Sequence, residues 1–99
     1  ASARAGNLRD VSDLFESHSG EFFALLAREA GKTLTDCIGE LREAVDFLRY
    51  YAGQAERHPK GRARGIVACI SPWNFPLAIF TGQIAASLAA GNAVIAKPA

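Results

Sequence analysis

The sequence predicts an α/β fold in which N-terminal helices lead into the first βαβ unit of a Rossmann-like parallel sheet. Three observations predict it. Residues 7–56 carry apolar side chains at helical spacing. Residues 57–65 interrupt that pattern with proline, glycine and the basic side chains Arg57, Lys60, Arg62 and Arg64. From Gly65 to Ala96 there is then no charge and no histidine, and two apolar runs flank an alanine-rich stretch. The chain divides accordingly into a helical part (1–56), a basic connecting loop (57–65) and a βαβ unit (66–99).

The bulk numbers fit that class. The chain has 99 residues, 49% of them apolar and 21% charged, with a net charge of +1. This suits one soluble domain or a piece of one and gives no global argument for nucleic acid. The chain begins at Ala1, holds no Met and stops at Lys97-Pro98-Ala99, directly after a strand-like run. The expectation is an internal piece of a longer chain with no secretory signal. Cys37 and Cys69 lie in different elements without CxxC spacing, so they read as buried reduced thiols, and no metal site is expected.

Leu8, Val11, Leu14 and Phe15 predict a first helix over 7–18, with Arg9, Asp10, Asp13 and Glu16 on its polar side. Ser17-His18-Ser19-Gly20 breaks it, and His18 reads as a solvated loop residue. A second helix runs from Glu21, favourable to its dipole, to Ala30, and Gly31 is placed to end it. Thr33 followed three residues on by Asp36 resembles a capping box and opens a long third helix over 34–56. Leu34, Ile38, Leu41, Val45, Leu48 and Ala52 form one stripe along it, widened by Phe47, Tyr50 and Tyr51. That stripe suits a sheet or a neighbouring helix better than a coiled-coil seam. Asp46 and Arg49 are spaced to meet across one turn. The basic loop reads as a solvated connection, since no aromatic residue interleaves its charges for stacking bases.

After the loop, a strand at 66–71, a helix at 76–90 and a strand at 93–97 make a βαβ unit with a right-handed crossover. Pro76 suits the first helical turn and Gly91-Asn92 the stop. Pro72, Asn74, Pro76, Gln83 and Asn92 interrupt any run long enough for a membrane span. Both strands are apolar without alternation, as when both faces of a parallel sheet are covered.

The turn Ser71-Pro72-Trp73-Asn74-Phe75-Pro76 falls at the C-terminal end of the first strand, and Lys97 at that of the second. Both should face one crevice, where open α/β sheets bind ligands. The turn has no glycine, and two of its residues lack N–H groups, so it is a poor phosphate cradle. Asn74 has two readings: a cap of the following helix, or a neutral donor to an oxygen that gains charge during a reaction. Lys97 is either an exposed strand-end lysine or a donor to ribose hydroxyls or phosphate.

Pro72-Trp73-Asn74-Phe75-Pro76, followed one helix later by Gly91-Asn92 and Ala96-Lys97-Pro98, resembles the NAD(P)-dependent aldehyde dehydrogenase superfamily. The runs Leu26–Thr33, Glu43–Gln54 and Cys69–Ala90 are similar to the L-glutamate γ-semialdehyde (Δ1-pyrroline-5-carboxylate) dehydrogenase module of bacterial proline utilization proteins. The resemblance covers residues 8–99 and departs in the basic loop. It implies oxidation of glutamate semialdehyde to glutamate with NAD, with FAD only if a proline dehydrogenase module is present in the parent chain. Asn74 would be the catalytic oxyanion-hole donor and Phe75 a wall of the aldehyde pocket. Ile70, Ser71, Pro72 and Trp73 would lie along the cofactor, with Lys97 on the adenosine ribose. The family's cysteine nucleophile and general-base glutamate lie downstream, and neither Cys37 nor Cys69 matches the nucleophile.

The resemblance also implies that the segment is inactive alone. Its partners would be a small aldehyde substrate, the rest of its own parent chain and further copies in a homo-oligomer, in the cytoplasm or membrane-peripheral through the parent. No nucleic acid contact or transmembrane segment is implied. The competing readings are another aldehyde dehydrogenase, such as one for succinate semialdehyde, and a catalytically silent interaction module.

Overall fold

The computed structural model describes residues 1–99. Helices α1 (Ser2–Ser17), α2 (Ser19–Ala30) and α3 (Leu34–Arg57) precede strand β1 (Ile66–Ile70), helix α4 (Ala78–Ala89) and strand β2 (Ala93–Lys97). The two strands pair in parallel, from Ile66 opposite Ala93 to Ile70 opposite Lys97. The predicted helices-then-βαβ order is therefore the observed one, and no helix is long and apolar enough to cross a membrane.

The core joins α1, α3 and α4 through small side chains. Ala5, Leu8, Leu48, Ala52, Ala55, Ala85 and Ala89 form one buried cluster, with Val11, Phe15 and Tyr51 packed on it. Small residues let helix axes approach closely. Gly82 shows it best: a Cβ there would lie 2.9 Å from Phe47 Cδ2, so α4 meets α3 through that glycine.

Alanine packing also explains why α1 begins five residues earlier than the sequence predicts. Its first turns are anchored by Ala5, which has no exposed surface, and not by a large apolar side chain. Leu14, placed in the predicted stripe, is instead exposed. The predicted turn at 17–20 reduces to one residue: α2 starts at Ser19, and exposed His18 lies between the helices with Nδ1 2.9 Å from the Leu14 carbonyl.

Gly31 ends α2 with φ 64, the left-handed conformation expected of it. Thr33 opens α3 by accepting a hydrogen bond from the Asp36 N–H at 3.2 Å, a cap worth about 1 kcal/mol. Along α3, Leu41, Val45, Leu48 and Ala52 are buried, while Leu34 and Ile38 at its start are exposed. Arg49 does not meet Asp46. It donates to Glu16 at 3.1 and 3.0 Å, to Asp13 at 3.2 Å and to buried Ser12 at 3.2 Å. Packing of α1 on α3 brings these acceptors within reach, and the bonds to Glu16 and then Asp13 raise the Arg49 pKa. Arg9 grips Glu56 at 2.8 and 2.6 Å and lowers that carboxyl's pKa by hydrogen bonding. Stability from that exposed pair is present above the unfolded carboxyl's pKa and fades as pH falls through the lowered one. Pairs this exposed contribute little.

Asn92 fastens the basic loop. Its side-chain oxygen accepts from the Arg64 and Gly65 N–H groups at 2.6 and 3.1 Å, and its NH₂ donates to the Ser87 carbonyl. Gly91 turns the chain there at φ 88, as the predicted stop requires. Side chains 67, 69, 94 and 96 point toward α4, where Cys69 is buried. The opposite face carries Ile66, Ile70 and Ile95, exposed by 72%, 67% and 63%. The expectation that both faces are covered therefore does not hold within these residues, because α4 shields only one. The accessible surface of 6243 Å² accordingly exceeds the about 5,400 Å² typical of a folded monomer of this mass.

Candidate active site

The turn between β1 and α4 is held at both ends. At its start, Gln83 of α4 donates to the Ile70 carbonyl at 3.2 Å, and the Ser71 N–H donates to the Lys97 carbonyl at 3.1 Å. That second bond continues the strand pairing one residue beyond β1. Ile70 and Lys97 are register partners, so their side chains share the open face of the sheet. The structure thus brings together Ile70, Ser71 and Lys97, three of the residues that the family resemblance implies lie along the cofactor.

At its far end the turn does not close as the sequence predicts. α4 starts at Ala78 and not at position 76, with Leu77 as the preceding residue and no cap from its own side chain. Pro76 and Leu77 form a separate turn. The cap comes from α3: Glu40 Oε2 accepts from the Leu77 N–H at 2.6 Å and from the Ala78 N–H at 3.1 Å. A carboxylate at a helix N-terminus is favoured both by these unpaired donors and by the helix dipole. Asn74 is therefore not the cap. Asn74 is exposed, and its side chain makes no hydrogen bond with another protein group.

Glu40 is the residue at this site that the sequence did not single out. It is 2% exposed, and its other oxygen faces the Lys32 ammonium at 2.5 Å. That contact is an ion pair without hydrogen-bond alignment. The Lys32 ammonium also lies 3.9 Å from the centre of the Phe75 ring, a cation–π contact. A signal existed in the sequence: Cys37, Glu40, Leu41, Ala44 and Val45 share helical spacing, so Glu40 is a carboxylate on a face of small and apolar residues.

The remaining predicted residues line the turn. Phe75 is 37% exposed and Trp73 79%, while Pro72 is half-buried. Trp73, Pro76 and Leu77 form one wall of an apolar recess of about 560 Å³, opposite Phe22, Leu25 and Leu26 of α2. Cys37 and Cys69 are buried, free thiols. The Leu77 and Ala78 N–H groups at the start of α4 are already taken by Glu40. What the turn presents is one neutral amide donor and two aromatic rings, beside a sheet edge with one ammonium.

The sequence matches known proteins along its whole length. The model of the aldehyde dehydrogenase family matches residues 1–99. The chain is 59% identical over 99 residues to the bifunctional protein PutA of Escherichia coli (strain K12), covering 97% of this chain and 8% of that protein. It superimposes with a TM-score of 0.94 on a crystal structure of a Bradyrhizobium japonicum proline utilization A (PutA) mutant, at 51% identity, over 99% of this chain and 12% of that one. A Thermus 1-pyrroline-5-carboxylate dehydrogenase with bound NAD gives the same TM-score of 0.94 at 36% identity, covering 99% of this chain and 22% of that one. The chain thus spans between 8% and 22% of the length of these relatives. With the family match running from the first residue to the last, this chain belongs to the aldehyde dehydrogenase family.

Proposed function

We propose that this chain forms the oxygen-holding turn and first cofactor strands of a longer enzyme that oxidises L-glutamate γ-semialdehyde to glutamate with NAD. The observation that carries the reading is the state of Asn74. Its carboxamide stands exposed on the ligand edge of a βαβ unit, while the capping work it was placed to do is done by Glu40.

The residues present fit a dinucleotide. Ile70 and Lys97 share the open sheet face, offering an apolar surface and an ammonium donor at its C-terminal edge. Lys97 holds ribose hydroxyls there, and Ser71, Pro72 and Trp73 continue the binding segment. Bound NAD supplies a hydride acceptor. Asn74 donates its N–H to the substrate oxygen as negative charge grows on it, and Phe75 walls the aldehyde pocket. The nucleophile and general base come from other parts of the longer chain, since Cys37 and Cys69 are both buried thiols. The rest of that chain also covers the open face at Ile66 and Ile95. The longer enzyme works as a cytoplasmic homo-oligomer.

The test is NAD⁺ reduction by the longer enzyme with pyrroline-5-carboxylate, against succinate semialdehyde and simple aldehydes. The expected result is the highest kcat/KM for pyrroline-5-carboxylate. A higher value for succinate semialdehyde or a simple aldehyde overturns the substrate assignment, and no NAD⁺ reduction with any of them overturns the enzyme reading.

A further inference from the structure

We propose that Glu40 and Lys32 are positioning residues that fix Asn74 and Phe75 in their working places. The proposal rests on the reading of Asn74 as the donor to the substrate oxygen. The turn has little to hold itself. Pro72 and Pro76 carry no N–H, Asn74 makes no bond inside the protein, and the Ser71 hydroxyl reaches only the neighbouring Pro72 carbonyl at 3.4 Å. Its geometry is therefore set by its two ends. One end is tied to the sheet and to Gln83. The other is tied to Glu40, 37 residues away on the longest helix of the fold.

A local Ser, Asp or Asn would cap α4 without burying a charge. A carboxylate reaching in from α3 does something a local cap does not: it ties the turn to a rigid, separately packed element. Lys32 completes the tie. It sits between the left-handed Gly31 and the capping residue Thr33, so its backbone is fixed on both sides. From there it contacts the Glu40 carboxylate and the Phe75 ring. The donor's neighbour and the helix start behind it are thus gripped by one ion pair. Misplacing a reacting group by about 1 Å costs on the order of 10²-fold in rate.

The experiment is a double-mutant cycle in the longer enzyme, combining Glu40→Ala with Asn74→Ala and reading kcat and KM with pyrroline-5-carboxylate and NAD⁺. With Asn74 present, E40A is expected to lower kcat by about 10- to 100-fold and to leave KM for NAD⁺ unchanged. In the N74A background the same change is expected to cost less than about threefold, because a positioning residue has nothing left to position. If E40A enzyme is not recovered folded, Glu40→Gln enters the same cycle, since it keeps a capping oxygen while losing the ion pair. Equal losses in both backgrounds, or full turnover by the Glu40 variant, overturn the proposal. N74A enzyme with wild-type turnover fails the donor reading itself and the proposal with it. N74A enzyme that is slow beside a Glu40 variant that is not fails the positioning proposal alone.

Discussion

Lys32→Met is expected to destabilise the longer enzyme by about 3–5 kcal/mol, the cost of leaving a buried charge without its partner. The Glu40 side chain has no exposed surface and that of Lys32 is 12% exposed, so water cannot replace the lost ammonium. The carboxylate would keep the Leu77 and Ala78 N–H groups on Oε2, while Oε1 would face no cation. Pairing the change with Glu40→Gln is expected to restore most of the loss, because a neutral amide still offers an oxygen to the helix start. The denaturant midpoint of the two variants against wild type checks this. An unchanged midpoint for Lys32→Met would mean that another group neutralises Glu40.

Asn74→Ala should act on the opposite quantity. Its carboxamide makes no bond within the protein and lies on an exposed turn, so its loss removes nothing from the fold. The midpoint is expected to stay at the wild-type value. Turnover is expected to fall by about 10²–10³-fold, as when one donor is taken from an oxyanion hole. A ground-state contact would raise KM and leave kcat alone, so a fall confined to kcat identifies a donor that acts as charge develops. Wild-type turnover in this variant would reduce Asn74 to a surface residue. Together the two substitutions separate what holds the turn from what the turn does.

Much of this arrangement is legible in the sequence because its signals are local. Gly31, Thr33 and Gly91 act within a few residues of themselves, and each does in the structure what its type dictates. The strands show as uncharged apolar runs, and their parallel pairing follows from the helix between them. What is not legible depends on distant neighbours. Arg49 has an acid on its own helix at the right spacing, yet its partners stand on α1, because helix packing decides which acids come near. The start of α1 is hidden because Ala5 packs by being small, and apolar periodicity registers large side chains.

The site shows the same division. Pro72, Asn74, Phe75 and Lys97 can be picked out as chemistry-bearing residues at a sheet edge. That Asn74 is free to act, however, depends on Glu40 having taken the capping place from another helix. A Ser, Thr, Asp or Asn before a helix is the usual cap, and no local pattern announces that a residue on α3 will do that work. The open face of Ile66, Ile70 and Ile95 follows the same logic, since the apolar run is local and no element among these residues covers it.

The most direct test is a crystal structure of the longer enzyme with an unreactive aldehyde analogue bound beside the turn. The expected result places the Asn74 side-chain nitrogen at about 2.7–3.1 Å from the analogue's carbonyl oxygen, with Glu40 still on the Leu77 and Ala78 N–H groups. An Asn74 carboxamide turned back to cap α4, or an analogue oxygen held by other donors with Asn74 out of reach, would contradict it.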